Sequence, residues 1–516
     1  MPQCRLKSPP TIQHWILLAV ALCLLSLSCT SRPAPGELVL IIESSPVNLD
    51  PRVGTDAQSE RIGKLIFDAL LERDEHFNLR PHLAERWDVP DPLTYIFHLR
   101  HDVKFHDGRP LTARDVKWTL DTIMAGNPRT LKTGTFRYVA AVEAPDDYTF
   151  VVRLKEPYAT LLWNLSDGAI GIVPYGSGPD FNLHPVGSGP FRFVRHEQDK
   201  EVIVERNPDY WGEKARIARV RMMVVPDTTT RALELRKGSA DVAINALTAD
   251  MVAAIRREGS LEVQTAPGTI YTYLAPNLRD PILRDVRVRQ ALAYAIDRKP
   301  ILHYLWRDLA EPAASILPVQ SWAYDTGARQ FPYDPARARQ LLDAAGYPER
   351  NGVRFHLVLK TSTEEYNRLL AAILQQQLRA VGIALDIRTF EFATWYADVT
   401  KGAFQIFTGL RWIGGNEDPD IFEYVFHTSS FAPRRANRGY YSNPRVDALI
   451  DAGRRELDQE KRRKIYVELQ EILNQDLPYI HMWYLDNVVV HTRRVRNLKL
   501  SPSGNYDFLR SAELTQ

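Results

Sequence analysis

Residues 94–120 read TYIFHLRHDVKFHDGRPLTARDVKWTL, and they hold a strand, a turn and a helix start in one run. Tyr95, Phe97 and Leu99 alternate with Thr94, Ile96 and His98, the period of a half-buried strand. Asp107-Gly108 marks a tight turn, because glycine accepts the positive φ that such turns need. Thr112 and Asp115 have the spacing of a capping box and predict a helix from Ala113. His106 and Asp107 invite a metal or acid–base reading, but a turn followed by a helix cap accounts for both.

Working outward, strands and helices alternate along the chain. ELVLIIES (residues 37–44) is a continuous apolar run, the pattern of a buried strand. SERIGKLIFDALLE puts Ile62, Leu65, Ile66, Ala69 and Leu70 on one helical face, with Ser59 as its expected cap. DDYTFVVRL is a second alternating strand, and HPVGSGPFRFV is a punctuated turn entering another. RVRMMVVPD and TTTRALELRKGSADVAI predict a strand, a helix and a strand with short links. Asp334, Pro335 and Gly346 bracket a helix as N-cap, first residue and terminator. The fold class is α/β with mixed sheets, and 516 residues predict more than one lobe.

The formal net charge of +2 gives no electrostatic case for nucleic acid as a partner. The cysteines are Cys4, Cys23 and Cys29, all ahead of the folded body, so thiol catalysis and cysteine-ligated metal are not expected there. Arg5 and Lys7 precede an apolar run from Trp15 to Leu27, the layout of a signal peptide over residues 1–28. SLSC ends it and resembles a lipoprotein processing site, with Ser26 where leucine is usual. Cys29 is the expected lipidated residue, and residues 29–36 are a proline-containing tether. Thr30 follows that cysteine. The expected location is extracytoplasmic, on the membrane through this anchor.

Six blocks, in order, resemble the family 5 solute-binding proteins of ABC transporters, the dipeptide- and oligopeptide-binding group. They are LDPRVGTDAQSERIGKLIFDALLERD, LRPHLAERWDV through DVKWTL, GSGPFRF with ERNPDYWG, DVRVRQALAYAIDR, LQQQLRAVGIALDI and YYSNPRVDALI. The resemblance implies a two-lobed type II binding-protein fold with a hinge and an extra inserted domain. Lobe I is then expected over 37–75, 186–290 and 491–516, the inserted domain II over 76–185 and lobe III over 291–490. It also implies a monomer that captures a solute between lobes I and III and delivers it to permease subunits served by a separate ATPase. A dipeptide or oligopeptide is the first expectation for the solute. Nickel chelate, haem, oligosaccharide and opine ligands are the alternatives within the class.

An exported hydrolase is the competing class. The chain has no G-x-S-x-G elbow, no H-E-x-x-H helix and no phosphate-binding G-x-x-x-x-G-K-[ST] loop, and its 13 histidines are scattered. No catalytic residue, metal or cofactor is expected. Candidate ligand contacts come from two places. Ser44 and Ser45 follow the first strand, where the resembled peptide binders pair backbone with backbone. The second is RWIGGNEDPD (residues 411–420), which resembles the loop whose aspartate holds a peptide's ammonium in the dipeptide binders. Counting back from Asp418-Pro419, that position is Gly415, so the carboxylate is missing, while Asn416 and Glu417 lie beside it. Trp412 is expected at the cleft, and Arg411 is a candidate for an anionic group of the ligand.

Overall fold

The computed structural model of the chain describes residues 36–414 and 417–515. Its largest sheet has twelve strands, ten on one hydrogen-bonded path and two paired beside it. Glu37–Ile42 lies between Arg219–Val224 and Val242–Ile244 and runs parallel to both. The helix Thr228–Lys237 therefore crosses over the first strand, as short βαβ links require. Leu38 to Ile42 are at most 1% exposed, which explains the unbroken apolar run.

Two long strands, Glu262–Pro276 and Ile480–His491, run antiparallel and join two lobes. Their inner ends pair beside Val242–Ile244, and their outer ends carry the short strands Ile406–Phe407, Arg411–Trp412 and Ala310–Pro312. The register breaks between Ala266 and Ile270. Gly268 sits in that break, where an added Cβ would lie 2.3 Å from the Leu485 carbonyl oxygen. Only glycine admits so close a crossing.

Packing divides with the sheets. Leu38 to Ile66 and Val202 to Met222 share a core with Tyr506 and Leu509 near the C-terminus. Leu70 to Ile172 form a separate core around the antiparallel sheet Ala84–Asp91, Thr94–Leu99, Thr149–Leu154 and Val139–Glu143. Beyond the bulge, Leu274, Leu292, Leu374 and Trp483 share one core, and Tyr271, Phe407 and Tyr466 another.

The opening stretch folds as its pattern predicts. Thr94–Leu99 is a strand, Gly108 turns at φ +89°, and Ala113–Ala125 is a helix with the capping box in place. His106 is a structural residue. Its Nδ1 accepts from the Gly187 amide at 3.2 Å, and its Nε2 donates to the Gly189 carbonyl at 3.1 Å. Burial pushes its pKa down to about 4, so the ring is neutral. The cap of the helix Ala57–Ile66 differs from expectation. Asp56, not Ser59, accepts from the backbone, because the helix begins at Ala57, three residues earlier than the apolar stripe shows.

One buried carboxylate ties these pieces together. Asp68 accepts from His82 at 3.0 Å, Tyr210 at 3.1 Å, Ser188 at 2.9 Å and Trp211 at 3.1 Å. Burial opposes its charge, but His82, Arg510 and Trp211 outweigh burial and bring its pKa down to about 2. Gly187 and Gly189 let the bend carrying Ser188 press against Ile66, whose carbonyl oxygen an added Cβ on Gly187 would meet at 1.9 Å. We predict that Asp68→Ala lowers unfolding free energy by about 3 kcal/mol or more, since three buried donors and the half-buried Trp211 indole lose their acceptor. With a folded pKa below the unfolded value, Asp68 supplies stability above about pH 4 that is lost as pH falls towards 2. Denaturant titrations at pH 7 and pH 3 check both statements, and an equal loss at the two pH values contradicts the second.

Candidate functional site

The helix Ala57–Ile66 buries Ile62, Leu65 and Ile66, which leaves Glu60, Arg61 and Lys64 along a cavity of about 520 Å3. The body with the four-stranded sheet supplies a second wall through Arg137, Tyr158, Trp163 and Asp167. The third wall comes from across the hinge, with Ile413, Glu417, Asp418, Asp420, Glu423 and Tyr424. A neighbouring cavity of about 510 Å3 shares Lys64, Arg73, Glu417, Ser503 and Asn505 with the first. Five segments far apart in sequence thus meet around one polar space, as expected where lobes converge.

Ion pairs cross this space. Arg73 donates to Glu417 at 3.0 Å, joining the edge of the four-stranded body to the far lobe. Arg73 also lies 3.7 Å from Asp167, and Lys64 lies 3.5 Å from the same carboxylate. Burial would raise the pKa of Asp167, but Lys64 and Arg73 hold it well below the usual carboxylate range. Asp420 pairs with Arg454 at 2.7 Å and accepts from Tyr158 at 3.2 Å. Arg462, 3.7 Å from Asp418, is sandwiched by Trp163, Trp322 and Tyr466 and donates to Thr160 at 3.1 Å. The far lobe and the four-stranded body are therefore stitched by charge-assisted bonds with aromatic backing.

The residues singled out in the sequence separate here. Glu417 lines both cavities, but its carboxylate already holds Arg73. Trp412 stands one ring behind the wall, edge-on to Tyr424 with centroids 6.1 Å apart. Arg411 is its neighbour on a strand and so points to the other side. Its guanidinium sits 5.1 Å from the Tyr366 ring and 5.4 Å from Trp306, a cation–π site away from the cavity. Ser45 is buried and accepts from the Asp199 amide at 2.7 Å, which pins the hairpin between Phe191–Glu197 and Glu201–Arg206. Ser44 is exposed, and neither serine lines either cavity. Gly415, Asn416 and Cys29 lie outside the described residues. Among the described residues no group of three or more histidine, cysteine or acidic side chains is placed to hold a metal.

Sequence reasoning missed Glu60, Lys64, Arg73 and Asp167. For Glu60, Lys64 and Arg73 the signal lies in SERIGKLIFDALLERD, where charges interrupt an apolar stripe, whereas nothing local marks Asp167. Two acids of the cavity carry raised pKa values. Burial and then the charge of Asp167 bring Glu60 up to about 6. Burial also brings Asp418 up to about 6, with Arg462 opposing and Asp420 adding to it.

Residues 78–432 match the family described as bacterial extracellular solute-binding proteins, family 5. The chain is 29% identical over 496 residues to a glutathione-binding protein, GsiB, of Pectobacterium atrosepticum, covering 94% of this chain and 95% of that one. It is 27% identical to di/tripeptide-binding protein 1 of Pseudomonas aeruginosa, covering 92% and 93%. It also superposes on the periplasmic binding protein DppA of Helicobacter pylori in complex with the peptide STSA, with a TM-score of 0.74, 26% identity and coverage of 93% and 98%.

The raised Asp418 gives a pH test. Its folded pKa lies above its unfolded one, so its contribution is present below about pH 4 and lost as pH rises through 6. Relative to the wild type, Asp418→Asn is expected to gain about 2 kcal/mol between pH 4 and pH 7. Paired denaturation curves read this gap, and a constant gap across the range contradicts it.

Proposed function

Because the chain belongs to family 5 of the bacterial extracellular solute-binding proteins, we propose that it captures a short peptide in the cavity between its lobes and hands it to an ABC permease. The observation that carries the ligand class is the wall chemistry. Cations and carboxylates line one space together with Tyr158, Trp163 and Tyr424, which suits a zwitterion with variable side chains. The printed names of the two relatives, a glutathione binder and a di/tripeptide binder, point to the same class.

Capture rests on the two long strands as the hinge and on Arg73 and Glu417 as partners that meet when the lobes approach. The protein performs no covalent chemistry on its cargo. We assign lobe I to 37–75, 186–290 and 491–516, the inserted domain to 76–185 and lobe III to 291–490. Packing favours starting lobe III nearer the bulge, since Tyr271, Leu274 and Leu283 belong to its cores. Residues 1–28 direct export, Cys29 carries the lipid, and the protein works as a tethered monomer. No helix among the described residues is long and apolar enough to cross a membrane.

A thermal-shift series with reduced glutathione and di-, tri- and tetra-alanine tests the ligand class. A peptide at a hundred times its dissociation constant stabilises by about 2.7 kcal/mol, which raises the melting temperature measurably. No shift with any peptide overturns the ligand class, and steady turnover of a peptide overturns the claim of binding without chemistry. Cys29→Ser is expected to abolish incorporation of labelled palmitate and to release the protein from membranes. Retention of both contradicts the anchor.

A further inference from the structure

The cavity contains six carboxylates, and five are paired. Glu417 holds Arg73, Asp418 faces Arg462, Asp420 holds Arg454, Glu423 holds Arg435, and Asp167 lies between Lys64 and Arg73. Glu60 is the sixth. Its side chain has no ion pair or hydrogen bond among the described residues, although it lines the same wall as Arg61 and Lys64.

The cations near it are spoken for. Lys64 is drawn to Asp167 at 3.5 Å. The Lys132 ammonium is buried and donates to the carbonyls of Pro51 at 2.8 Å and Ala169 at 2.7 Å. Arg61 lies over the Tyr506 ring at 5.7 Å. A half-buried carboxylate with no partner is costly unless something meets it, and the open side of Glu60 is the cavity.

We propose that Glu60 is the acceptor for a positively charged group of the bound solute, in the first instance a peptide's terminal ammonium. This rests on the reading of the cavity as the solute site. It also answers the missing acid at Gly415, because the counter-charge is supplied from the first helix rather than from the far lobe. A charge supplied from the helix's lobe is in place before closure, so the solute is oriented as soon as it enters. Burial and the charge of Asp167 raise the pKa of Glu60 against the pull of Lys132 and Lys64, as for a carboxylate with no bonded cation.

The test uses the full-length protein purified in detergent, with calorimetric titration of tri-alanine and N-acetyl-tri-alanine. The wild type is expected to favour the free amine by about tenfold or more, as loss of a desolvated charged bond requires. Glu60→Gln should erase that preference by weakening the free-amine peptide alone, and Glu60→Asp should keep part of it. Neither variant should melt below the wild type, and Glu60→Gln should melt slightly above it at pH 7, since Glu60 makes no side-chain bond in the fold and burial opposes its charge. Equal affinity of the wild type for the two peptides overturns the proposal. So does a preference that survives Glu60→Gln or that disappears in Glu417→Gln instead. If the wild type binds neither peptide, the peptide reading fails by itself, and agmatine and putrescine become the probes. Binding of either amine that Glu60→Gln abolishes then supports Glu60, and absence of amine binding overturns it.

Discussion

A single buried charge, the Asp68 carboxylate, holds the arrangement on which everything else depends. It is affordable in the interior only because four donors meet it. Those donors come from His82, Ser188, Tyr210 and Trp211, which lie 14 to 143 residues away in sequence. The carboxylate therefore fastens the exit of the first helix to the entrance of the four-stranded body and to the return from it. Directly before it stand Glu60, Arg61 and Lys64, and directly after it Arg73, all of them cavity residues. The knot fixes one wall of the cleft to within the tolerance of a hydrogen bond, while the opposite wall rides on the hinge strands.

The opposite wall is electrostatic in character. Its acids each find a cation, and Arg73, together with the Tyr158 hydroxyl that donates to Asp420, reaches them from the four-stranded body. Such bonds are weak in water and strengthen as water leaves, because the local dielectric falls. A solute that fills the cavity expels water from them. On the proposed function, solute binding and lobe closure therefore strengthen the same bonds. Arg462 shows the same economy, since three aromatic rings and a threonine hydroxyl support its charge beside Asp418.

Much of this was legible in the sequence, for reasons that differ residue by residue. Periodicity identified strands and helices where one face is buried, as with Tyr95, Phe97 and Leu99, but the helix read through Ala69 and Leu70 stops at Ile66. The punctuation Asp334, Pro335 and Gly346 was read correctly because capping is local. The six blocks were recognisable as a family pattern, and three of them prove to be the pieces that meet at Asp68 and at Gly187. The cavity was less legible. Arg411 and Trp412 are neighbours in sequence but face opposite sides of a strand, and sequence does not state which side is the cleft. The Ser45 hydroxyl is tied to a hairpin 154 residues away, a contact that no local pattern announces. Glu60 was hidden because an acid on the polar face of an amphipathic helix is ordinarily solvated. Only the tertiary arrangement shows that this face looks into a cavity whose other acids are taken.

On the proposed function, solute binding draws the lobes together across the Arg73–Glu417 contact. Small-angle X-ray scattering on protein carrying Cys29→Ser, free of detergent, reads it directly. The radius of gyration is expected to fall when a peptide shown calorimetrically to bind is added to saturation, and to fall less in Glu417→Gln. A peptide that binds fully while leaving the scattering curve unchanged, in protein that starts from an open form, would contradict the account.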